Sequence, residues 1–265
     1  MDRIRVAVVG ACGKMGREVV KAVADAPDME LVGACDVAFA GSTLTDVTGV
    51  PGLEFAIDSD FVATLGKTKP DVVVDFAKPF VMANVRLAME NGVVPVIGAT
   101  GQSAEELRQI ESLTESTGTA AMVIPNFAIG AVLMMKFAAE AAAYMPDVEI
   151  IELHHDKKAD APSGTSIKTA EMIDEARKAA GAKATPPAGS PDDPARGDER
   201  ASIRIHSVRL PGLVAHQEVI FGGTGQVLTI RHDSLDRTSF MPGVLLAIRR
   251  ASNAHGLTYG LDKVL

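Results

Sequence analysis

The sequence predicts an α/β protein in which an N-terminal doubly wound parallel sheet is followed by a second, α+β domain containing a mixed or antiparallel sheet. Three observations predict it. Short β-branched runs alternate with helical patterns as far as residue 127, the first of these runs ends in a glycine-rich turn, and after Asn126 the pattern changes to long helices and then clustered strands.

Residues 4–9 are apolar and β-branched apart from Arg5, and the glycine turn leads from them into a helix over 17–26. A second strand is expected over 30–35, ending at Asp36, and a third over 71–76, whose valines mark a strand buried on both faces. The segment between them reads as long and irregular. A helix over 81–91 stopped by Gly92, a strand over 93–97, a helix over 103–116 and a strand over 120–124 complete a first domain, 1–127. The third helix opens on the capping pattern Ser103-Ala104-Glu105-Glu106.

The second domain, 128–239, begins with a long apolar helix over 131–144, a strand over 148–153 and a helix over 165–180. Residues 184–200, rich in proline, glycine and acids, read as a surface loop or flap. Three runs, 202–210, 215–221 and 226–232, are separated by Pro211-Gly212 and Gly222-Gly223-Thr224-Gly225 and are expected to form an antiparallel meander. The last stretch, 240–265, carries a helix over 240–253 that is expected to pack back on the first domain.

Composition narrows the function. The chain has 265 residues, 47% hydrophobic and 23% charged, with a formal net charge of -8, which argues against a general nucleic-acid or anionic-membrane binder. An anionic ligand must therefore meet a local basic cluster. The two cysteines, Cys12 and Cys35, sit in no metal-ligand pattern, so neither a disulfide scaffold nor a metal site is expected, and a reducing cytoplasm fits. The N-terminus lacks the apolar region of a secretory signal, and no stretch approaches the roughly 20 apolar residues of a membrane span.

The turn Gly10-Ala11-Cys12-Gly13-Lys14-Met15-Gly16 is GxxGxxG rather than strict GxGxxG. Its glycines stand where the backbone bends, approaches a pyrophosphate and lets helix meet strand. Asp36 follows Gly16 by 20 residues at a strand end, where an acid accepts both ribose hydroxyls of a dinucleotide in a Rossmann-type domain. The alternative is a structural turn and an ordinary loop acid. Asp36 followed by Val37 favours NADH, because a carboxylate repels a 2′-phosphate, while Lys14, Ser42 and Thr43 leave NADPH possible.

The densest polar cluster is Glu152-Leu153-His154-His155-Asp156-Lys157-Lys158-Ala159-Asp160-Ala161-Pro162-Ser163-Gly164-Thr165. Two imidazoles and two ammonium groups within five residues suit carboxylate binding and proton delivery. Ser163, Gly164 and Thr165 enter a helix, whose free N–H groups and hydroxyls make an anion seat. The competing reading is a solvated charged turn with an ordinary N-cap. Zinc is disfavoured because adjacent histidines project differently, and a nucleophilic Ser163 because no GxSxG elbow surrounds it.

These segments, together with Val96-Ile97-Gly98-Ala99-Thr100-Gly101 and Pro125-Asn126-Phe127-Ala128-Ile129-Gly130, resemble the dihydrodipicolinate reductase (4-hydroxy-tetrahydrodipicolinate reductase) family of bacterial lysine and diaminopimelate synthesis. The resemblance spans nearly the whole chain. It implies reduction of 4-hydroxy-tetrahydrodipicolinate to tetrahydrodipicolinate with loss of water, by NADH or NADPH. It places the nicotinamide end against Gly98, Ala99 and Thr100 and against Ile124, Pro125, Asn126 and Phe127. His154 matches the assigned acid/base and Lys158 a proton donor; His155, Gly164 and Thr165 match contacts to the substrate carboxylates, with Ser163 and Thr100 beside them. Homotetramers joined through the second domain's sheet are typical of the family. Two departures stand out: Cys12 where some relatives have glycine, and Val37 where some place an arginine, which counts against strong NADPH use. The rivals are a non-catalytic nicotinamide sensor and a dehydrogenase of an aspartate-derived metabolite.

Overall fold

The computed structural model describes residues 2–79, 82–185 and 193–265. Their elements run β1 (Ile4–Val9), α1 (Lys14–Asp25), β2 (Met29–Cys35), α2 (Leu44–Thr48), α3 (Phe61–Thr68), β3 (Val72–Asp75), α4 (Met82–Glu90), β4 (Val94–Ile97), α5 (Ala104–Thr117) and β5 (Ala121–Val123). They continue with α6 (Ile129–Ala142), β6 (Asp147–His154), α7 (Gly164–Ala180), β7 (Asp198–Arg200), β8 (Ile203–Arg209), β9 (Ala215–Gly223), β10 (Gln226–Ser234), α8 (Met241–Ala251) and β11 (Leu257–Tyr259). Two compact units result, Met1–Phe127 with Phe240–Leu265, and Ala128–Ser239. No helix among the described residues is long and apolar enough to cross a membrane.

In the first unit six strands lie in the order β11-β5-β4-β3-β1-β2, every neighbouring pair parallel. A parallel sheet needs helices on both faces, which explains why Val6, Ala7, Val8 and Val72, Val73, Val74 are all buried. Phe61 and Leu65 of α3 pack with Ala7, Val9 and Val73, and Ile110 and Leu113 of α5 with Val85, Ile97 and Val123. From β1 the chain steps outward to β2 and then returns to the other side of β1 as β3. The sheet order therefore reverses between β1 and β3, the place where open α/β sheets bind ligands beyond their C-terminal strand ends.

The segment between β2 and β3 is not irregular, as the sequence suggests; it contains α2 and α3. Thr43 caps α2 by accepting from Asp46 N, and Asp60 caps α3 by accepting from Ala63 N at 2.9 Å. Five and eight residues are too few to display a helical period, so only the caps mark them. The capping box at α5 does form, with Ser103 and Glu106 each satisfying the other's backbone N–H. The expected helix over 81–91 is found as α4; Val81 lies outside the described residues.

After Phe240 the chain returns to the first unit. Gly243 of α8 lies so close to the Phe127 carbonyl that a Cβ would sit 2.0 Å from its oxygen. Arg249 pairs with Asp28 through two hydrogen bonds of 2.7 and 3.0 Å, and β11 adds a sixth strand beside β5.

The second unit's sheet runs β10-β9-β6-β8-β7 and is mixed: β6 and β8 are parallel and the other pairs antiparallel. The expected three-stranded meander is therefore wrong. β9 and β10 do form a hairpin, but β6 inserts between β8 and β9. Both edges of β6 are hydrogen-bonded, one to β8 and one to β9, and this long-range pairing overrides the local turn signal at Pro211-Gly212. The expected flap is also shortened, because Asp198–Arg200 pairs with β8 as a strand and residues 194–196 form a helical turn; residues 186–192 lie outside the described ones. Helices α6 and α7 cover the sheet through Met134, Ala138, Ala170 and Ile173 against Ile150, Val219 and Phe221.

One buried carboxylate marks the switch point. Asp75 ends β3, is 2% exposed, and accepts from Ala77 N at 2.8 Å through Oδ1, while its Oδ2 has no partner among the described residues. Burial pushes its carboxyl up to about 6, against the Ala77 hydrogen bond. Below the ordinary 3.8 the folded and unfolded chains both carry the proton; between 3.8 and about 6 only the folded chain does. Stability thus falls as pH rises through that window and stays lower above it. Asp75→Asn should reduce the loss by up to roughly 3 kcal/mol, read from denaturant unfolding of both proteins at about pH 4 and about pH 7. Identical pH dependence in the two proteins would remove Asp75 as its source.

Candidate functional site

Chain reversal between β1 and α1 is tight. Gly10 has φ +72°, and a Cβ on it would lie 3.0 Å from both Ala77 N and the Phe76 carbonyl carbon, so a side chain is disfavoured twice. At Gly16 a Cβ would fall 2.0 Å from the Gly10 oxygen, so α1 can meet the turn only through glycine. Gly13 is the N-cap and supplies no side-chain bond, and the first turn of α1 carries no acidic residue to compete for an anion at the helix's positive end. Ala11 and Cys12 are buried here, Met15 is half-buried and Lys14 exposed.

Asp36 joins this turn to the end of β2. Its Oδ2 accepts from Cys12 N and its Oδ1 from Ala38 N, each at 2.9 Å, which leaves each oxygen a further lone pair. The buried Cys12 thiol is pushed up to about 11 by burial and by the Asp36 charge. Arg17 donates to the carbonyls of Cys12 and Val47, both at 2.8 Å, and lies 5.6 Å from the Phe39 ring centroid. Val37 is 84% exposed and brings no charge to the Asp36 carboxylate. Of the two hydroxyls named from sequence, that of Thr43 is committed to capping α2, and Ser42 is exposed.

Beyond β4, Gly98 N and Ala99 N both donate to the Asp75 carbonyl, at 2.8 and 3.0 Å. A Cβ on Gly98 would lie 2.4 Å from the Phe76 ring and 2.9 Å from the Phe127 ring, and the two rings are 5.6 Å apart, tilted by 47°. Ile124 and Phe127 are buried, Asn126 half-buried, and Pro125 and Thr100 exposed. The candidates at 10–15, 36, 98–100 and 124–127 thus share one edge of the first unit's sheet, formed by the C-terminal ends of β1, β2, β4 and β5.

In the second unit the basic cluster joins β6 to α7. Glu152 is fully buried and meets donors on several sides: His154 Nδ1 at Oε2, Ser163 N at 3.3 Å, and the Arg209 guanidinium through Nη1 at 2.9 Å and Nη2 at 2.7 Å. Burial pushes this carboxyl up, but the bonds from His154, Arg209 and Ser207 outweigh it and hold it at about 2. An ionised carboxylate only accepts, so Nδ1 of His154 carries a proton and Nε2 is left for exchange. Lys158 N closes a turn on the His155 carbonyl at 3.1 Å, and Lys158 Nζ is bound by both oxygens of Asp160, at 2.8 and 2.7 Å. His155 and Lys157 are exposed.

Ser163 behaves differently from its neighbours. It is the buried N-cap of α7, accepting from Ser166 N at 3.2 Å, and its hydroxyl lies 2.8 Å from that of Ser166, which continues through Gln217 to Thr169. Its hydroxyl is therefore spent on holding the helix start. Gly164 is exposed with open space over it, and Thr165 is half-buried.

Sequence reasoning missed Arg209, Asp160 and Gln217. Arg209 is the register partner of His154 across the parallel β6–β8 pair, a juxtaposition that a meander of β8, β9 and β10 does not create. The available signal was Glu152 itself, an acid in an apolar strand that needs a cation beside it.

Comparison with known proteins agrees with this geometry in both units. Residues 4–127 match the family model for the N-terminus of dihydrodipicolinate reductase, and residues 130–265 the model for its C-terminus. The chain is 49% identical over 269 residues to the 4-hydroxy-tetrahydrodipicolinate reductase of Syntrophomonas wolfei, covering 100% of this chain and 99% of that protein. It is 50% identical over 267 residues to that of Desulfitobacterium hafniense, covering 100% of each. A solved structure, a dipicolinate-bound dihydrodipicolinate reductase from Paenisporosarcina sp. TG-14, superposes with a TM-score of 0.86 at 47% identity, covering 99% of this chain and 100% of that one. Matched from its first strand to its last residue, the chain belongs to the dihydrodipicolinate reductase family.

Proposed function

We propose that this chain reduces 4-hydroxy-tetrahydrodipicolinate to tetrahydrodipicolinate, with loss of water, in diaminopimelate and lysine biosynthesis. The observation that carries the reading is full-length identity of about half with relatives bearing that activity in their names. Members of the family bind a pyridine nucleotide. The first unit fits one: glycines 10 and 16 stand where a Cβ would collide, an acid-free helix start faces the turn, and Asp36 keeps lone pairs for two hydroxyls. Gly10, Ala11, Cys12, Gly13, Lys14 and Met15 would hold the pyrophosphate, Asp36 the ribose, and 98–100 with 124–127 the nicotinamide end. NADH is favoured because Asp36 is held in place and Val37 adds no positive charge.

When bound, the reduced cofactor supplies a hydride. The chain's own residues supply the rest. The substrate is a dianion, and in a protein of net charge -8 it meets His155, Lys158 and the start of α7 at Gly164 and Thr165. Lys158 is already paired with a carboxylate, that of Asp160, for which a substrate carboxylate can exchange. As water leaves and hydride arrives, electrons move toward the ring nitrogen and one proton must be delivered. His154, doubly protonated and with its ring set by Glu152, does this from Nε2 and returns to the Nδ1–H form, and Lys158 stabilises the developing charge or donates in turn. Dipicolinate, bound in the superposed Paenisporosarcina structure, is a planar pyridine dicarboxylate, which supports a seat for two carboxylates.

We further propose a homotetramer joined through the second unit's sheet, whose outer strand β10 leaves Val227 70% and Leu228 39% exposed. A cytoplasmic setting is supported by Cys12 and Cys35, both free thiols.

Four measurements test this reading. NADH oxidation with substrate freshly generated from pyruvate and aspartate semialdehyde should proceed, and at least as well as NADPH oxidation; nucleotide binding without turnover would favour a sensor. Asp36→Ala should weaken NADH by on the order of 1.5 to 3 kcal/mol, the scale of a charged hydrogen bond, and unchanged NADH affinity would remove Asp36 from the ribose site. Lys158→Ala and His154→Gln should each lower kcat by roughly 10²-fold or more with nucleotide affinity unmoved, while Lys157→Ala stays mild. Thr165→Val should weaken inhibition by pyridine-2,6-dicarboxylate; equal inhibition of both proteins would place the dianion elsewhere.

A further inference from the structure

We infer that Glu152 and Arg209 are positioning residues for the reaction, an ion pair between a buried carboxylate and a half-buried guanidinium that sets the His154 ring and the 158–160 loop together. The inference rests on the proposed function for its kinetic consequences, and on geometry alone for its structural ones. Glu152 lies at 0% exposure inside β6, where an isolated charge would be prohibitive. Arg209 answers it with a two-pronged contact, Nη1 to Oε2 and Nη2 to Oε1, the geometry that only a guanidinium supplies.

Arg209 does more than neutralise. Its Nε donates to the Lys158 carbonyl at 3.3 Å and its Nη2 to the Asp160 carbonyl at 2.7 Å, so the same planar group grips the loop on both sides of Ala159. The other face of the Glu152 carboxylate takes His154 Nδ1 and Ser163 N. One carboxylate and one guanidinium thereby connect four features: the candidate acid/base, the candidate cation, its Asp160 partner, and the N-cap that opens α7. Backbone pairing aligns them, since His154 and Arg209 are register partners of adjacent parallel strands.

All of the named contacts to Glu152 come from donors. Glu152→Gln keeps the shape but turns an N–H pair toward donors, so at least one contact must break. Arg209→Lys keeps the charge but has a single ammonium, which cannot serve the two carboxylate oxygens and two carbonyls in the same geometry. A lost orientation of the reacting groups costs turnover on the order of 10²-fold without removing any group that touches substrate.

The test uses the full chain, ¹⁵N-labelled in its histidines, with wild type, Glu152→Gln and Arg209→Lys compared. Ring ¹⁵N shifts of the neutral His154, assigned by its loss in His154→Gln, should report the Nδ1–H tautomer in wild type and move toward the Nε2–H form in Glu152→Gln. Turnover, as kcat, should fall by about 10²-fold in both variants, with NADH affinity unchanged. Thermal unfolding accompanies each kinetic value, so activity is expressed per folded protein. A wild-type His154 protonated at Nε2 rather than Nδ1 overturns the proposal without any variant, as do folded variants with wild-type kcat. If the wild type itself fails to turn over the substrate, the proposed function is what fails, and the ring shifts still decide the positioning pair.

Discussion

A charge sealed from water must be met by partners in fixed directions, and in the second unit that requirement is set by Glu152. Its buried carboxylate is satisfied by a guanidinium, an imidazole and a backbone amide. Those partners come from three places in the chain: β8, the end of β6 itself, and the residue before α7. Removing any one leaves a buried acceptor short of a donor, an asymmetry in hydrogen-bond energetics that makes the arrangement hard to loosen piecemeal. The loop carrying the basic residues is therefore held from beneath, although its own side chains at 155–157 face solvent.

The first unit relies on the opposite device, absence of side chain. Around the β1–β3 switch, backbone approaches backbone at Gly10 and Gly16, and aromatic rings close over Gly98. A parallel sheet ends in loops whose amides point outward, and glycine lets those loops come close enough to present them. Asp75 illustrates the cost: it organises Ala77 by its side chain and Gly98 and Ala99 by its carbonyl, yet keeps one interior carboxylate oxygen without a partner among the described residues.

Local signals are readable in the chain and long-range pairing is not. Strand β1, the glycine turn, α1 and the capping box at α5 each announce themselves within a few residues, because turn geometry and capping chemistry are short-range. The cluster at 152–165 stands out by charge density, and its resemblance to a known family is tied to specific residues. The insertion of β6 between β8 and β9 has no short-range signature; Pro211-Gly212 suits a tight hairpin as well as the longer crossing that occurs. Arg209 goes unnoticed for the same reason, since only the parallel pairing brings it beside His154. Ser163 reads as an anion ligand because a serine at a helix start fits either purpose; the buried chain through Ser166, Gln217 and Thr169 shows which one its hydroxyl serves here.

The return of the chain to its starting unit has a consequence for how the molecule is made. Strand β11 and helix α8 leave the ribosome after the second unit, while β1 to β5, which they complete, leave it before. Until Gly243 reaches the Phe127 carbonyl and Leu257–Tyr259 pairs with β5, the part of one face over β3, β4 and β5 and one edge of the first sheet remain uncovered. The second unit, by contrast, is one uninterrupted stretch and has all its strands as soon as Ser234 is out. Domains fold as units during synthesis, so the later-encoded unit is positioned to finish first, and the nascent nucleotide-type fold waits with an open edge for α8 and β11 to close it.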